Sequence, residues 1–438
     1  MQSRRIVAGV HVLLAAVHVY WATGATWPAP DERTLSRAVL GVQLSFAPQV
    51  VLPLAALHLL LAFAVLRSDR SAVARLVVAG VAAGLAARAA LGLAWAFTDV
   101  GTTFYWLNLL LYTPACIALC IADLKMLRRR WLKATVVAGP VAAVTALVLV
   151  AYVYQPSEQP HPAASVDSRY VETPLARVHY LQRGSGAPVV LLAPGASPAA
   201  AWDAQVAVLA RDHTVYAVDL PGQGETRLHD ETFTFDLDGM TEALGQFLDA
   251  LDLQTVVLGG NSWSGGWGLA YAQQHPEPVS KLVLLAPSGL DEPDVWSWEI
   301  FKQPVVGEAL AKLGANRSMV ESAVRGLFVH KELVTPQLVD QLWIPGTYRD
   351  NVRSMYALER GLDWSVTERG LPSTRQPTLV LWGDRDAILP VAQAARFRKL
   401  LPNATVRVLA GCGHALTVDC ADQVNPLVSA FLTGPGLG

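Results

Sequence analysis

Gly260-Asn261-Ser262-Trp263-Ser264-Gly265-Gly266 follows the apolar run Thr255-Val256-Val257-Leu258 and precedes the helical pattern Leu269-Ala270-Tyr271-Ala272. The order is strand, tight turn, helix. A serine at the tip of such a turn adopts strained backbone angles, tolerated only when the residues two before and two after it are small, because strand and helix nearly touch there. Gly260 and Ser264 meet that requirement for Ser262. The turn lifts the Ser262 hydroxyl clear of the sheet, where a histidine can take its proton and the Trp263 N–H can hold an oxyanion. Ser264, flanked by Ser262 and Gly266, meets the same spacing and stands as an alternative nucleophile. Ser262 is nearer the strand end and leaves the longer helix behind it. A Gly-rich turn without chemistry is the plainest alternative, and the rest of the chain bears on it.

Working outward, Arg169 to Thr173 and Ala176 to Gln182 read as a hairpin and Pro188 to Leu192 as a buried strand. Helix and strand then alternate: Ala200 to Arg211, Thr214 to Asp219, Leu237 to Leu251, Thr255 to Gly259, Trp263 to His275, Lys281 to Ala286. Such alternation implies a parallel sheet covered on both faces. After Pro287 it stops, and about 288 to 376 reads as an inserted helical cap rich in aromatics, suited to excluding water and lining a site. Pro377 to Trp382, Val391 to Leu401, Thr405 to Leu409 and Ala421 to Leu432 resume the alternation.

A triad on this scaffold runs in the chain order serine, acid, histidine. His414, in Gly411-Cys412-Gly413-His414 straight after the last strand, is the candidate base. Asp386, in Trp382-Gly383-Asp384-Arg385-Asp386 at the end of the preceding strand, is the candidate acid, with Asp384 and Asp291 as alternatives. All fall where a parallel sheet gathers its active site. The loop Ala193-Pro194-Gly195-Ala196 can aim the Ala196 N–H at the same oxyanion as that of Trp263.

With Asp219-Leu220-Pro221-Gly222-Gln223-Gly224, Gly260-Asn261-Ser262-Trp263, Gly383-Asp384-Arg385-Asp386 and Gly413-His414, residues 169 to 434 resemble the α/β-hydrolase superfamily. The branch is the cap-bearing one of esterases, carbon-carbon bond hydrolases, cofactor-free haloperoxidases and proline iminopeptidases. That resemblance implies the same triad chemistry without metal or organic cofactor. The family usually has His-Gly where this chain has Pro194-Gly195, and glycine where it has Ser264. A serine nucleophile separates it from the relatives that use aspartate.

The first third differs. The chain has 438 residues, 52% hydrophobic and only 16% charged, with a formal net charge of -2 and a mean hydropathy of +0.33. That balance gives no reason to expect a nucleic-acid partner and points to membrane spans. Segments at roughly 6 to 22, 45 to 66, 76 to 97, 104 to 124 and 134 to 154 are each long and apolar enough to cross a bilayer core. The first lacks a small-residue cleavage site after Tyr20-Trp21 and reads as a retained helix. Arg4 and Arg5, then Arg67, Arg70 and Arg75, then Lys125, Arg128, Arg129, Arg130 and Lys133 mark the cytoplasmic sides. Asp31, Glu32, Arg33 and Arg37, and then Asp99, mark the connections that face out. A cytoplasmic N-terminus and an odd number of spans put everything after Tyr154 outside.

Within these spans Arg88 is a cation at a depth where one is costly, with Gln43, Asn108, backbone carbonyls, water or a lipid or ligand head group as conceivable partners. His11, His18 and His58 could be imagined as a metal or haem site, but buried histidines more often serve as packing. Gly80 and Gly84 suit close helix contact. His18-Val19-Tyr20-Trp21 and Tyr112-Thr113-Pro114 resemble an uncharacterised family of small bacterial four-helix membrane proteins over about the first 125 residues. The fifth span would then be a tether. Gln155 to Ser168, with Pro156, Pro160 and Pro162, reads as a semi-extended linker.

Cys116 and Cys120 lie one turn apart on the fourth span and read as apolar packing. Cys412 and Cys420 flank His414 and, outside the cytoplasm, are expected to pair as a disulfide that holds the histidine loop. The combined expectation is a membrane-anchored serine hydrolase acting on a carboxylic ester or thioester with an apolar acyl group. Carbon-carbon bond hydrolysis, haloperoxidase or perhydrolase chemistry, peptidase chemistry, and a non-catalytic membrane sensor or transporter are its alternatives.

Overall fold

The computed structural model describes residues 2–41, 44–97, 100–127, 130–161, 165–292 and 296–434. Gln43, Asp99, Arg128, Arg129 and Pro162, named above, lie outside the described residues. The chain divides into two compact units, Met1–Tyr154 with Trp296–Leu310, and Gln155–Val295 with Ala311–Gly438.

The second unit holds a nine-stranded sheet among the described residues. Its strands are β1 (Ser168–Glu172), β2 (Ala176–Arg183), β3 (Ala187–Leu192), β4 (His213–Val218), β5 (Arg227–Leu228), β6 (Val256–Asn261), β7 (Val279–Leu285), β8 (Thr378–Gly383) and β9 (Ala404–Leu409). They run β1-β2-β4-β3-β6-β7-β8-β9, with the short β5 pairing β2. From β4 through β3 to β9 every pairing is parallel, while β1, β2 and β5 join antiparallel. Residues such as Val189 to Leu192 and Thr378 to Gly383 are buried without alternation, as a sheet covered on both faces requires. Trp202, Trp267, Trp382, Phe247 and Phe397 fill the layers between sheet and helices and are fully buried.

The covering helices start and stop on local chemistry. Asp236 caps Leu237–Ala250, its Oδ1 accepting from the Gly239 N–H at 2.8 Å. Helix Trp263–Gln274 follows the serine turn directly and is buried along nearly its whole length. Within this unit the stretch after β7 is helical, with helices at Arg317–Leu327, Pro336–Gly346, Arg349–Gly361 and Trp364–Gly370. The Pro-rich stretch before β1 is pinned here: the Gln159 N–H donates to Thr347 Oγ1 at 2.9 Å and the Arg349 N–H to Glu158 Oε1 at 2.9 Å.

The first unit is helical: α1 (Gln2–Ala22), α2 (Glu32–Leu40), α3 (Pro48–Arg67), α4 (Ala72–Ala94), α5 (Thr103–Met126) and α6 (Arg130–Tyr152). All but α2 are long and apolar enough to cross a membrane. Helix α2 lies in a stretch rich in charge and is set by the Asp31 cap, which accepts from the Thr34 N–H at 2.7 Å. Helix α5 carries a π-helical turn at Asn108–Tyr112. Trp296–Leu310, the start of the stretch after β7, packs in this unit: Trp95 Nε1 donates to the Pro304 carbonyl at 2.8 Å, and Val305 and Ala309 are buried with Trp95, Phe104 and Ala151.

Several expectations change here. A Cβ on Gly80 or Gly84 would meet nothing within 4 Å, so that pair marks no close helix contact. The tight approach is at Gly92, where a Cβ would lie 2.0 Å from Thr113 Oγ1. Arg88 is not partnered by Asn108, whose amide donates to the Gly92 carbonyl at 2.9 Å and whose Oδ1 accepts from Thr113 Oγ1 at 3.2 Å. The guanidinium lies 4.8 Å over the Trp95 ring, with Nη1 buried and unbonded. Asp123, on α5, is fully buried with neither carboxyl oxygen hydrogen-bonded. The three histidines do meet, His11 Nδ1 lying 3.1 Å from His58 Nδ1 and the His18 and His58 rings 5.2 Å apart. Among the described residues they do not form a cluster with metal-ligand spacing.

Candidate active site

Ser262 occupies the turn between β6 and its helix at φ 60° and ψ −129°, a conformation that a side-chain-bearing residue adopts only under constraint. The constraint is visible on both sides. The Ser262 N–H donates to the Leu285 carbonyl at 3.0 Å, and the Ser262 carbonyl accepts from the N–H groups of Ser288 at 3.0 Å and Gly266 at 3.2 Å. A Cβ on Gly260 would lie 2.4 Å from the Ser264 carbonyl oxygen, which is why glycine stands there.

Ser264, the alternative nucleophile, is fully buried, and its hydroxyl is committed to the backbone. Its Oγ donates to the carbonyls of Leu192 and Asn261, both at 3.0 Å, and accepts from the Asn261 N–H at 3.0 Å. It braces the turn, and Ser262 keeps partial exposure.

Asp386 and His414 come together at the ends of adjacent strands. His414 Nδ1 lies 2.8 Å from Asp386 Oδ2, and Asp386 Oδ1 accepts from the N–H groups of Ile388 at 2.8 Å and Leu389 at 2.9 Å. Since a carboxylate only accepts, the imidazole carries its proton on Nδ1 and presents Nε2 as a base. The side chains are 7% and 0% exposed. Asp384 is engaged elsewhere, accepting from the Gly411 N–H at 2.8 Å and the Cys412 N–H at 3.3 Å. Asp291 meets Glu368 through its backbone N–H at 2.8 Å. Among the described residues, no hydrogen bond joins Ser262 Oγ to His414, a looseness usual before substrate closes such a site.

The loop after β3 turns at Ala196, with φ 56°, and the Ser197 N–H closes onto the Pro194 carbonyl at 3.0 Å. Gly195 lies against the Trp263 ring so closely that a Cβ would sit 2.4 Å from Trp263 Cε3. The loop that carries Ala196 thus packs against the Trp263 ring.

Cys412 and Cys420 form a disulfide, closing a loop with a sequence separation of 8 around His414. Cys116 and Cys120 are free. A residue that sequence reasoning missed completes the brace: fully buried Asp419 accepts from the N–H groups of Gly413 at 2.7 Å, Val329 at 3.0 Å and His330 at 2.9 Å, and pairs with His330 Nδ1 at 3.1 Å. The His414 N–H in turn donates to the Leu327 carbonyl at 2.9 Å. His330, Asp419 and Cys420 have ligand atoms within 4.8 Å of one another, but the Cys420 sulfur is bonded to Cys412, so the group is a brace and not a metal centre.

A parallel sheet, a serine on a strained strand-to-helix turn and a histidine-aspartate pair at neighbouring strand ends define a class, and comparison with known proteins gives the family. Residues 188–419 match the alpha/beta hydrolase fold family, and the chain belongs to it. Residues 11–122 match a second family, a protein of unknown function (DUF3995). The dihydrolipoyllysine-residue acetyltransferase component of the acetoin cleaving system from Pseudomonas putida is 32% identical over 253 residues, 56% of this chain and 64% of that protein. Carboxylesterase YbfK of Bacillus subtilis is 26% identical over 271 residues, 60% of this chain and 87% of the relative. The structure of the meta-cleavage product hydrolase CumD from Pseudomonas fluorescens shares the fold, with a TM-score of 0.53 and 21% identity, over 60% of this chain and 97% of that one.

Proposed function

We propose that this α/β-hydrolase is a membrane-anchored serine hydrolase that cleaves a carboxylic ester or thioester with an apolar acyl group. The observation that carries the reading is the His414–Asp386 pair, 2.8 Å apart, at strand ends beside the strained Ser262 turn. In this reading Ser262 Oγ attacks the carbonyl carbon as His414 Nε2 takes its proton. The N–H groups of Trp263 and Ala196 hold the oxyanion, and His414 returns the proton to the departing alcohol or thiol. Water then attacks the acyl-serine through the same base. Asp386 keeps the imidazole in the tautomer that can accept. The similarity to a carboxylesterase supports ester chemistry.

The anchor in this reading is residues 1–154, with Arg88 as its polar site, 155–168 the linker and 169–438 the hydrolase domain. Five helices of span length and the charge pattern of their connections support a cytoplasmic N-terminus and a hydrolase domain outside the cytoplasm. Carbon-carbon bond hydrolysis on the same triad is the second reading, favoured by a 2-hydroxy-6-oxo-2,4-heptadienoate hydrolase from Pseudomonas putida that is 28% identical over 263 residues.

The deciding experiment labels membranes carrying the protein with a fluorophosphonate, comparing wild type with Ser262→Ala and Ser264→Ala. An adduct located at Ser262 by peptide mass spectrometry in wild type and in Ser264→Ala supports the assignment. Wild-type protein that never labels at Ser262 would remove it.

A further inference from the structure

Away from the Ser262 site, a second group of side chains has the donor and acceptor order of a nucleophilic relay. Ser168 opens β1, His179 lies in β2 and Asp219 follows β4, so the three occupy successive strands of the sheet. His179 Nδ1 lies 2.7 Å from Asp219 Oδ2, and Ser168 Oγ lies 2.7 Å from His179 Nε2. The carboxylate can only accept, so the proton between them belongs to Nδ1. Neutral imidazole then offers Nε2 as the acceptor for the Ser168 O–H, the order that prepares a serine for attack.

The acid end of the relay is fixed. Asp219 is 0% exposed in its side chain, its Oδ2 also accepts from the Glu225 N–H at 2.9 Å, and its Oδ1 accepts from the Ala199 N–H at 2.6 Å. Asp219 therefore cannot turn away from His179. Tyr170, directly across from His179 in the strand register, holds the imidazole from one side with ring centroids 5.0 Å apart. The serine lies on an edge strand and is partly exposed, so a reagent can reach it. Arg169 Nη1 donates to the backbone carbonyls of Val166 and Ser168, both at 2.8 Å, which holds the start of the strand in place.

We propose that Ser168 is a second activated serine, accepting an acyl group from activated esters independently of Ser262. Ser168 Oγ forms a bond to the acyl carbon while His179 Nε2 takes the hydroxyl proton. The tetrahedral intermediate then breaks the ester C–O bond, and the leaving phenol or alcohol carries that proton away from the imidazolium. With a fluorophosphonate the P–O bond forms, the P–F bond breaks, fluoride leaves and the proton passes to solvent.

The test uses the full-length Ser262→Ala protein treated with a fluorophosphonate, with adducts located by peptide mass spectrometry over time. Ser185, exposed and without a histidine partner among the described residues, is the internal reference. A general base accelerates such a step by roughly 10²-fold or more, so the Ser168 adduct should form faster than any at Ser185 by that order. His179→Gln, with its melting temperature recorded, should bring the Ser168 rate down to the Ser185 level. A Ser168 rate equal to that of Ser185 would overturn the proposal, whatever the histidine variant does. Absence of labelling at Ser262 in wild-type protein would count against the first site only, so the two failures are separable.

Discussion

At the scale of single residues, Asp384 and Asp386, two positions apart, are separated by what they accept. Asp386 receives the imidazole N–H, and Asp384 receives only backbone N–H groups. Asp386→Asn places an amide against His414 Nδ1. If its NH₂ faces the ring, the proton moves to Nε2 and the base is lost, so kcat on a chromogenic ester should fall by about 10³ to 10⁴ with KM little changed. Asp384→Asn retains an acceptor for Gly411 and should stay within a few-fold of wild type, roughly the size of one exposed neutral hydrogen bond. Equal losses in both variants would show that the acid has been assigned wrongly. Gly195→Ala addresses the other side of the reaction. Its Cβ, 2.4 Å from the Trp263 ring, must push the loop away and take the Ala196 N–H with it, costing on the order of 10² in kcat, the usual effect of losing one oxyanion donor.

Among elements, the loop from β9 to the last helix, Ala421–Thr433, is held by the Cys412–Cys420 bond, by Asp419 and by the Leu327 carbonyl, all converging on Gly413 and His414. Removing the disulfide with Cys412→Ala and Cys420→Ala together frees a short loop. The expected loss is about 2 kcal/mol of stability on loop entropy, read as a lower denaturant midpoint. If His414 is the base proposed above, Asp419→Asn should lower kcat more than it raises KM, because it loosens that histidine without touching substrate; an unchanged kcat would make Asp419 a matter of stability alone. What could be read from sequence at this scale was whatever is local. The small residues around Ser262, the acid and histidine after consecutive strands, and the apolar runs of β3 and β8 announce themselves within a few positions. The two-residue β5 has no periodicity to detect, and Asp419 gains its partners only when Val329 and His330 fold against it. Gly80 and Gly84 had the right spacing for helix contact but face no neighbour, whereas Gly92 packs tightly because of Thr113, a residue on another helix.

For the whole molecule, the sidedness of the chain and the redox state of the histidine loop are one question. Five helices of 20 to 26 residues reach span length, and arginines and lysines collect in alternate connections. With the N-terminus in the cytoplasm, Arg70 belongs to a cytoplasmic connection and Ser157 follows the last span on the opposite side. Single cysteines at these two places report directly, since Cys116 and Cys120 lie in a helix of span length and Cys412 and Cys420 are bonded to each other. A membrane-impermeant maleimide should label Ser157→Cys in intact cells and Arg70→Cys only after permeabilisation. The reverse pattern would put the hydrolase fold in a reducing compartment, where a disulfide does not persist. Cys412 and Cys420 would then appear as thiols under the same reagent. The two readouts therefore have to change together, and a chain that labels at Ser157→Cys outside the cell while its Cys412 stays reduced would break the link between compartment and the histidine loop.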